Sequence, residues 1–198
     1  MDKEQKERKP LKASLTKLDV AGRQINTAIE LLFRGGDAIS IHTLAMAAFR
    51  ILYDVSKRKN RTFHFLFDDM IQPGKEKEFW GKYFNKWSNF AKHAEKDPDG
   101  LIEALDESLN DTLLVMCCFG WRDHGRELSH AMNVFSSWFV TVNPNMLKDA
   151  ALKAKIIEEA PVKGVSRAGL LEVGRRLLEA TPRLRAEQSN GHPTPKVG

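Results

Sequence analysis

Cysteine is almost absent from this chain, with two in 198 residues, and the two are neighbours, Cys117 and Cys118. A disulfide between adjacent residues would be strained. The pair sits in the apolar run Leu113 to Phe119, where a thiol behaves as a small hydrophobe. No basic residue stands beside either sulfur to lower its pKa, which argues against a nucleophilic cysteine and points to a reducing compartment. A phosphate loop is missing too: Gly35-Gly36 precedes a helical stretch, but no strand leads into it and no lysine follows. No internal repeat occurs, and no alternating strand pattern of useful length. The charged opening, Met1 to Pro10, lacks the apolar core of a signal peptide, and no stretch is expected to reach the length of a membrane span. These absences lead us to expect a cytoplasmic protein with no membrane partner. Neither sign of charge dominates, since 31 basic residues face 26 acidic ones, for a formal net charge of +5. So small an excess permits contact with nucleic acid or acidic surfaces and equally fits a solvated surface.

What is present is helical periodicity. With 42% hydrophobic residues, the length suits one domain with a sizeable core. We expect an all-α antiparallel helical bundle over 14–180, an unstructured lead over 1–13 and an unstructured tail over 181–198. Ser14 offers a first cap, and Leu18, Ala21, Ile25, Ala28, Ile29, Leu32 and Phe33 form an apolar stripe that Gly35-Gly36 ends. Asp37 or Ser40 caps a second stripe, Ile41 to Leu52, so 15–57 reads as a helical hairpin. Its His42, near the helix start, reads as a neutral, hydrogen-bonded interface residue. Thr62 is placed to cap a short aromatic helix, Phe63 to Ile71, closed by Pro73-Gly74. Residues 75–93 carry Phe79, Trp80, Tyr83, Phe84, Trp87 and Phe90 on one broad side, read as a core stripe rather than a base-stacking platform. Asp97-Pro98 reads as the cap and first position of a long helix, Leu101 to Phe119, with Gly120 at its end. Further helices are expected over 127–140, stopped by Asn143-Pro144, and over 145–160 and 166–180, the last capped by Ser166.

Several residues could carry chemistry. Glu127 and His130 have the Glu-x-x-His spacing of helical metal sites, and His124 extends it to His-x-x-Glu-x-x-His. Such sites need more carboxylates than this run supplies, so an ordinary capped helix start is the plainer reading, and no cofactor or metal is expected. The basic run Lys57 to Arg61, with Arg58 and Arg61, either grips phosphates without reading sequence or is a solvated loop. Asn89 and His93 stand four apart, hence on one helical face and able to touch one ligand.

Three stretches resemble a group of uncharacterised bacterial all-helical proteins. They are Leu18-Asp19-Val20-Ala21 with Gln24 to Ile29, Gly35-Gly36-Asp37 leading into Ser40 to Ala45, and Asn89 to Ala94 with Asp97-Pro98. A more distant resemblance is to HEPN domains, helical bundles that often dimerise and in many cases cleave RNA. Active members resemble one another in an Arg, a polar residue beside it and a His four to six positions on. The Arg is thought to stabilise phosphate charge while the His moves protons. Here Asn89 and His93 match the polar residue and the His, while Ser88 occupies the Arg position. Lys92, next to His93, points about 100° away from it on a helix. Arg58 and His64 match the spacing alone, in a loop where Lys59 follows the Arg, and read as coincidence. The resemblance implies a non-catalytic HEPN-like binding or regulatory module for a protein or RNA partner, contacted through Lys92, Arg58 and Arg61, with a homodimer as a further expectation. The alternative it implies is a metal-independent endoribonuclease of a toxin or defence system using His93 and Asn89.

Overall fold

The first helix starts at Thr16, two residues after the expected Ser14. The Asp19 amide donates to Thr16 Oγ1 at 3.1 Å and the Thr16 amide to Asp19 Oδ2 at 3.0 Å, a reciprocal capping box that Ser14 has no partner to form. The computed structural model describes residues 14–61, 75, 78, 80–93, 95, 97–160 and 162–190, with the side chains of 82, 83 and 181–190 left aside. Helix α1 (Lys17–Phe33) ends where Gly35, at φ 66°, lets the Gly36 amide reach back to the Leu31 carbonyl at 2.8 Å. That left-handed turn is open to glycine at little cost. Of the two candidates for the next cap, Asp37 is the one used: its Oδ1 accepts from the Ser40 amide at 2.7 Å.

Helix α2 (Ala38–Arg58) packs along α1 and includes Lys57 and Arg58, whose charges suit the negative end of the helix dipole. The basic run is therefore loop only from Lys59. Asn60, at φ 48°, closes the turn as the Arg61 amide donates to the Ser56 carbonyl at 3.0 Å. By length and composition α2 is long and apolar enough to cross a membrane, contrary to the sequence expectation; its Ile41, Ala45, Ala48 and Phe49 lie in the interior of the fold. The expected helix Phe63 to Ile71 and its Thr62 and Pro73-Gly74 boundaries lie outside the described residues.

The chain returns as a π-helical turn, Gly81–Asn85, running straight into the short helix α3 (Lys86–Phe90). Asp97 does not cap a helix. Its carbonyl accepts the Gly100 amide at 3.2 Å across a turn with Pro98 in the second position, where the ring's fixed φ is favoured. Residues 101–106 are not helical, and Asp106 takes both the Ser108 amide, at 3.0 Å, and the Ser108 hydroxyl, at 2.8 Å, at the turn that precedes the next helix. Helix α4 (Ser108–Asp123) thus starts late, and it passes through Gly120 to a left-handed turn at Gly125, φ 69°. Helix α5 (His130–Val142) is capped by Ser129, whose Oγ accepts the Met132 amide at 3.2 Å. Asn143-Pro144 ends it as the sequence predicts. A 3-10 turn, Pro144–Met146, leads to α6 (Ala150–Glu159), which buries none of its residues. Helix α7 (Arg167–Asn190), capped by Ser166, continues beyond the Thr181 boundary where unstructured chain is expected. No strand occurs among the described residues.

Helices α1, α2, α4 and α5 supply the centre of the core, through Ile25, Ile29, Leu52, Leu113, Met116, Met132 and Phe135. Phe33 meets Trp138 edge-on at 5.4 Å. Both cysteines lie in this core. Cys117 donates to the Ala45 carbonyl at 3.4 Å, and burial pushes the Cys118 thiol up to about 12. Helix α7 lies against α1 at Gly174, where even a methyl group would sit 2.1 Å from the Phe33 ring.

The start of α7 is tied to the start of α4 by Arg167, which donates to both Asp111 oxygens, through NH2 to Oδ1 at 2.8 Å. The same guanidinium lies 5.5 Å from the Trp138 ring centre. The Asp111 side chain is only 7% exposed. Burial pushes its carboxyl above the usual range, and the arginine opposes that shift. Removing one partner of such a pair leaves a buried charge unmatched. We expect Arg167→Ala to cost about 3 kcal/mol in urea unfolding, and the double variant Arg167→Met/Asp111→Leu to recover most of it.

Candidate functional site

Helix α3 has only five residues and cannot hold its own position. It is held by a buried imidazole. His42, in the first turns of α2, has Nε2 2.8 Å from the Phe84 carbonyl, a bond only an N–H can make. Its Nδ1 pairs with the Asn110 side-chain amide at 2.9 Å, and Nδ2 of that amide donates to the Ala38 carbonyl at 2.9 Å. Three segments, α2, the π-helical turn and α4, therefore meet on one ring. Trp87 stands edge-on to it at 6.1 Å and sends its indole N–H to the Glu103 carbonyl at 3.1 Å, tying α3 to the non-helical stretch before α4. Trp80 stacks on Phe49 at 4.8 Å and meets Phe84 at a tilt at 4.9 Å. The expected aromatic stripe thus turns Trp80, Phe84 and Trp87 inward but leaves Phe90 outside; Phe79 and the Tyr83 ring fall outside the described residues.

Between α3 and the Asp97 turn opens a cleft of about 440 Å³, lined by Lys86, Asn89, Phe90, His93, Asp97 and Leu101 among others. Asn89 and His93 do share it. His93 lies just past the end of α3, yet its amide still donates to the Asn89 carbonyl at 3.1 Å, so the four-residue relation survives the helix end. The His93 Nδ1 and Glu95 Oε1 are 3.0 Å apart. The Glu95 carboxyl sits below its usual range because it accepts from its own backbone amide and, next, from His93. Lys86 is bonded to Glu103, whose carboxyl that lysine lowers, and its Nζ lies 5.4 Å from the Trp87 ring centre.

Other expected site residues are elsewhere. Lys92 is exposed and does not line the cleft, and neither do Arg58 and Arg61, at the far end of α2. The His-x-x-Glu-x-x-His run is pulled apart. His124, the buried last cap of α4, has Nε2 3.0 Å from the Leu52 carbonyl and 3.0 Å from Ser56 Oγ. Glu127 precedes α5 instead of lying on it. His130 has Nε2 3.0 Å from the Leu178 carbonyl. Among the described residues no group of three or more His, Cys, Asp or Glu is placed to hold a metal ion. Sequence reasoning missed Asn110 and Asp111, whose one signal is a polar pair inside an apolar helix.

No family model matches the chain, and neither a curated protein nor a solved structure matches it.

Asn110→Ala removes both bonds of the amide and leaves the His42 Nδ1 and the Ala38 carbonyl without that partner. Groups stranded in this way cost about 1–3 kcal/mol, and the loss should appear in the midpoint of denaturant unfolding followed by tryptophan fluorescence.

Proposed function

We propose that the chain is a non-catalytic HEPN-like binding module whose cleft at Asn89 and His93 takes up a protein partner. The observation that carries this reading is Ser88, which is 3% exposed. The position that an RNA-cleaving relative would fill with arginine faces the core, so a guanidinium there would have to break the packing of α3 to meet a phosphate. Lys86 is the only lysine or arginine lining the cleft among the described residues, and it is bonded to Glu103. Charge stabilisation of a phosphoryl transition state has no strong donor here.

The cleft offers an apolar rim instead. Phe90 is 42% exposed and Leu101 98% exposed, and both border the hydrogen-bonding Asn89 and His93. Exposed large apolar side chains beside polar groups suit a protein surface. Lys86 is held by Glu103, and the His93 ring is hydrogen-bonded to Glu95, which leaves an RNA backbone little to hold. Two buried free thiols agree with a reducing, cytoplasmic setting.

The second reading, an endoribonuclease, draws on one feature: the carboxylate of Glu95 at the His93 ring, an arrangement that orients an imidazole for proton transfer. Incubation of the purified protein with total RNA, beside His93→Ala, separates the two. The proposal expects intact RNA in both, whereas cleavage that disappears in the variant would overturn it.

A further inference from the structure

A larger groove, of about 1080 Å³, opens where the α4–α5 connection meets α5 and α7, and Arg122 and Arg126 line it. The cleft at Asn89 and His93 is its electrostatic opposite. Lys86 there is held by Glu103, whereas the Asp97 carboxylate lines the cleft and makes no ion pair with a described residue. Gly100 makes room for that carboxylate, which lies in space that any side chain at 100 would take. Asp99, exposed on the same turn, is also without an ion pair among the described residues. From Glu95 to Glu107 the chain holds six carboxylates against one lysine, in a protein whose formal net charge is +5. The cleft is thus bordered by a local excess of the minority sign.

The wall that carries Leu101 has unused backbone. Residues 101–105 belong to no helix or strand, and among the described residues the only hydrogen bond to their main chain is the one from the Trp87 indole to the Glu103 carbonyl. Leu101 and Ile102, which line the cleft, therefore present amide and carbonyl groups that no described residue occupies. Such groups take water or a second chain. On the other wall the Asn89 carboxamide is likewise without a hydrogen bond to a described residue, so it offers a donor and an acceptor to one peptide unit. Phe90 and Leu101 stand exposed beside these groups, one on each wall.

We infer that the cleft binds a partner segment in which lysine or arginine alternates with large apolar residues. The main chain of that segment pairs with the free groups of Leu101 and Ile102 and with Asn89, a mode in which backbone bonds give affinity and alternate side chains give specificity. Its apolar side chains cover Phe90 and Leu101. Its cations meet Asp97 and Asp99, which selects a basic segment over an acidic one. This inference rests on the reading of the cleft as a protein-binding surface and names the chemistry of the partner.

Fluorescence anisotropy of the full chain at low salt tests it with three labelled peptides: lysine alternating with leucine, the same with glutamate for lysine, and the same with serine for leucine. The lysine and leucine peptide should bind at least about ten-fold more tightly than either of the others. A chain of positive net charge attracts the glutamate peptide overall, so that order reports the cleft and not the whole surface. Asp97→Asn should weaken the complex about five-fold, the upper end for an exposed ion pair. Leu101→Ser should weaken it about ten-fold through lost apolar contact. Both residues are exposed, and thermal melts that match the parent show that the variants fold. The inference is overturned if no peptide binds, if the serine peptide binds equally well, or if both variants bind as the parent does. Preference for the glutamate peptide, weakened by Leu101→Ser, would overturn the inference and leave the protein-binding reading standing. A labelled oligouridylate that binds the parent and is lost with Leu101→Ser would overturn both.

Discussion

One buried imidazole, His42, fixes where the candidate cleft is. Its two nitrogens reach the Phe84 carbonyl and the Asn110 amide, 42 and 68 residues away in the chain. Each partner would be costly to strand in an apolar interior, so the π-helical turn before α3 and the start of α4 are placed against α2 together. Trp87 then adds its hydrogen bond to the Glu103 backbone, and the wall carrying Asn89 faces the wall carrying Leu101. The surface chemistry of the cleft is thus set from underneath, by groups that never reach solvent. The Asp111–Arg167 pair does the same for α7, joining its first turn to the residue next to Asn110.

The hairpin is legible in the sequence because stripe and punctuation agree. Ile25, Ala28, Ile29 and Leu32 share a face, and Gly35 supplies the positive φ that stops the helix. The start of α4 is not legible, since Leu101, Leu105 and Leu109 keep helical spacing whether or not the backbone does. What decides it is local competition from Asp106 for the Ser108 amide and hydroxyl. Glu127 misleads for a related reason: Ser129 outbids it as a cap, so its spacing to His130 is not helical spacing. The pairing of Asn89 with His93 is visible because a four-residue relation needs only one turn. The burial of Ser88 is hidden, because a five-residue helix offers too few positions to reveal its inward face. Arg167 and Asp111 lie 56 residues apart, and nothing in either neighbourhood announces the other.

Two surfaces follow with opposite electrostatic character. In the cleft Lys86 is paired with Glu103 from the facing stretch, and apolar contact with Phe90 and Leu101 is the main source of affinity available. In the larger groove Arg122 and Arg126 make no ion pair among the described residues. The connection that makes this groove, Asp123 to Ser129, is also the one that breaks the His-x-x-Glu-x-x-His spacing.

The account's central claim is that the His42 junction, rather than the intrinsic helicity of α3, holds the cleft in place. Hydrogen–deuterium exchange of His42→Phe against the parent tests it most directly. Loss of amide protection confined to 81–93 and the first turn of α4, with α1 and α5 unchanged, is the predicted result; protection of 81–93 that matches the parent would contradict it.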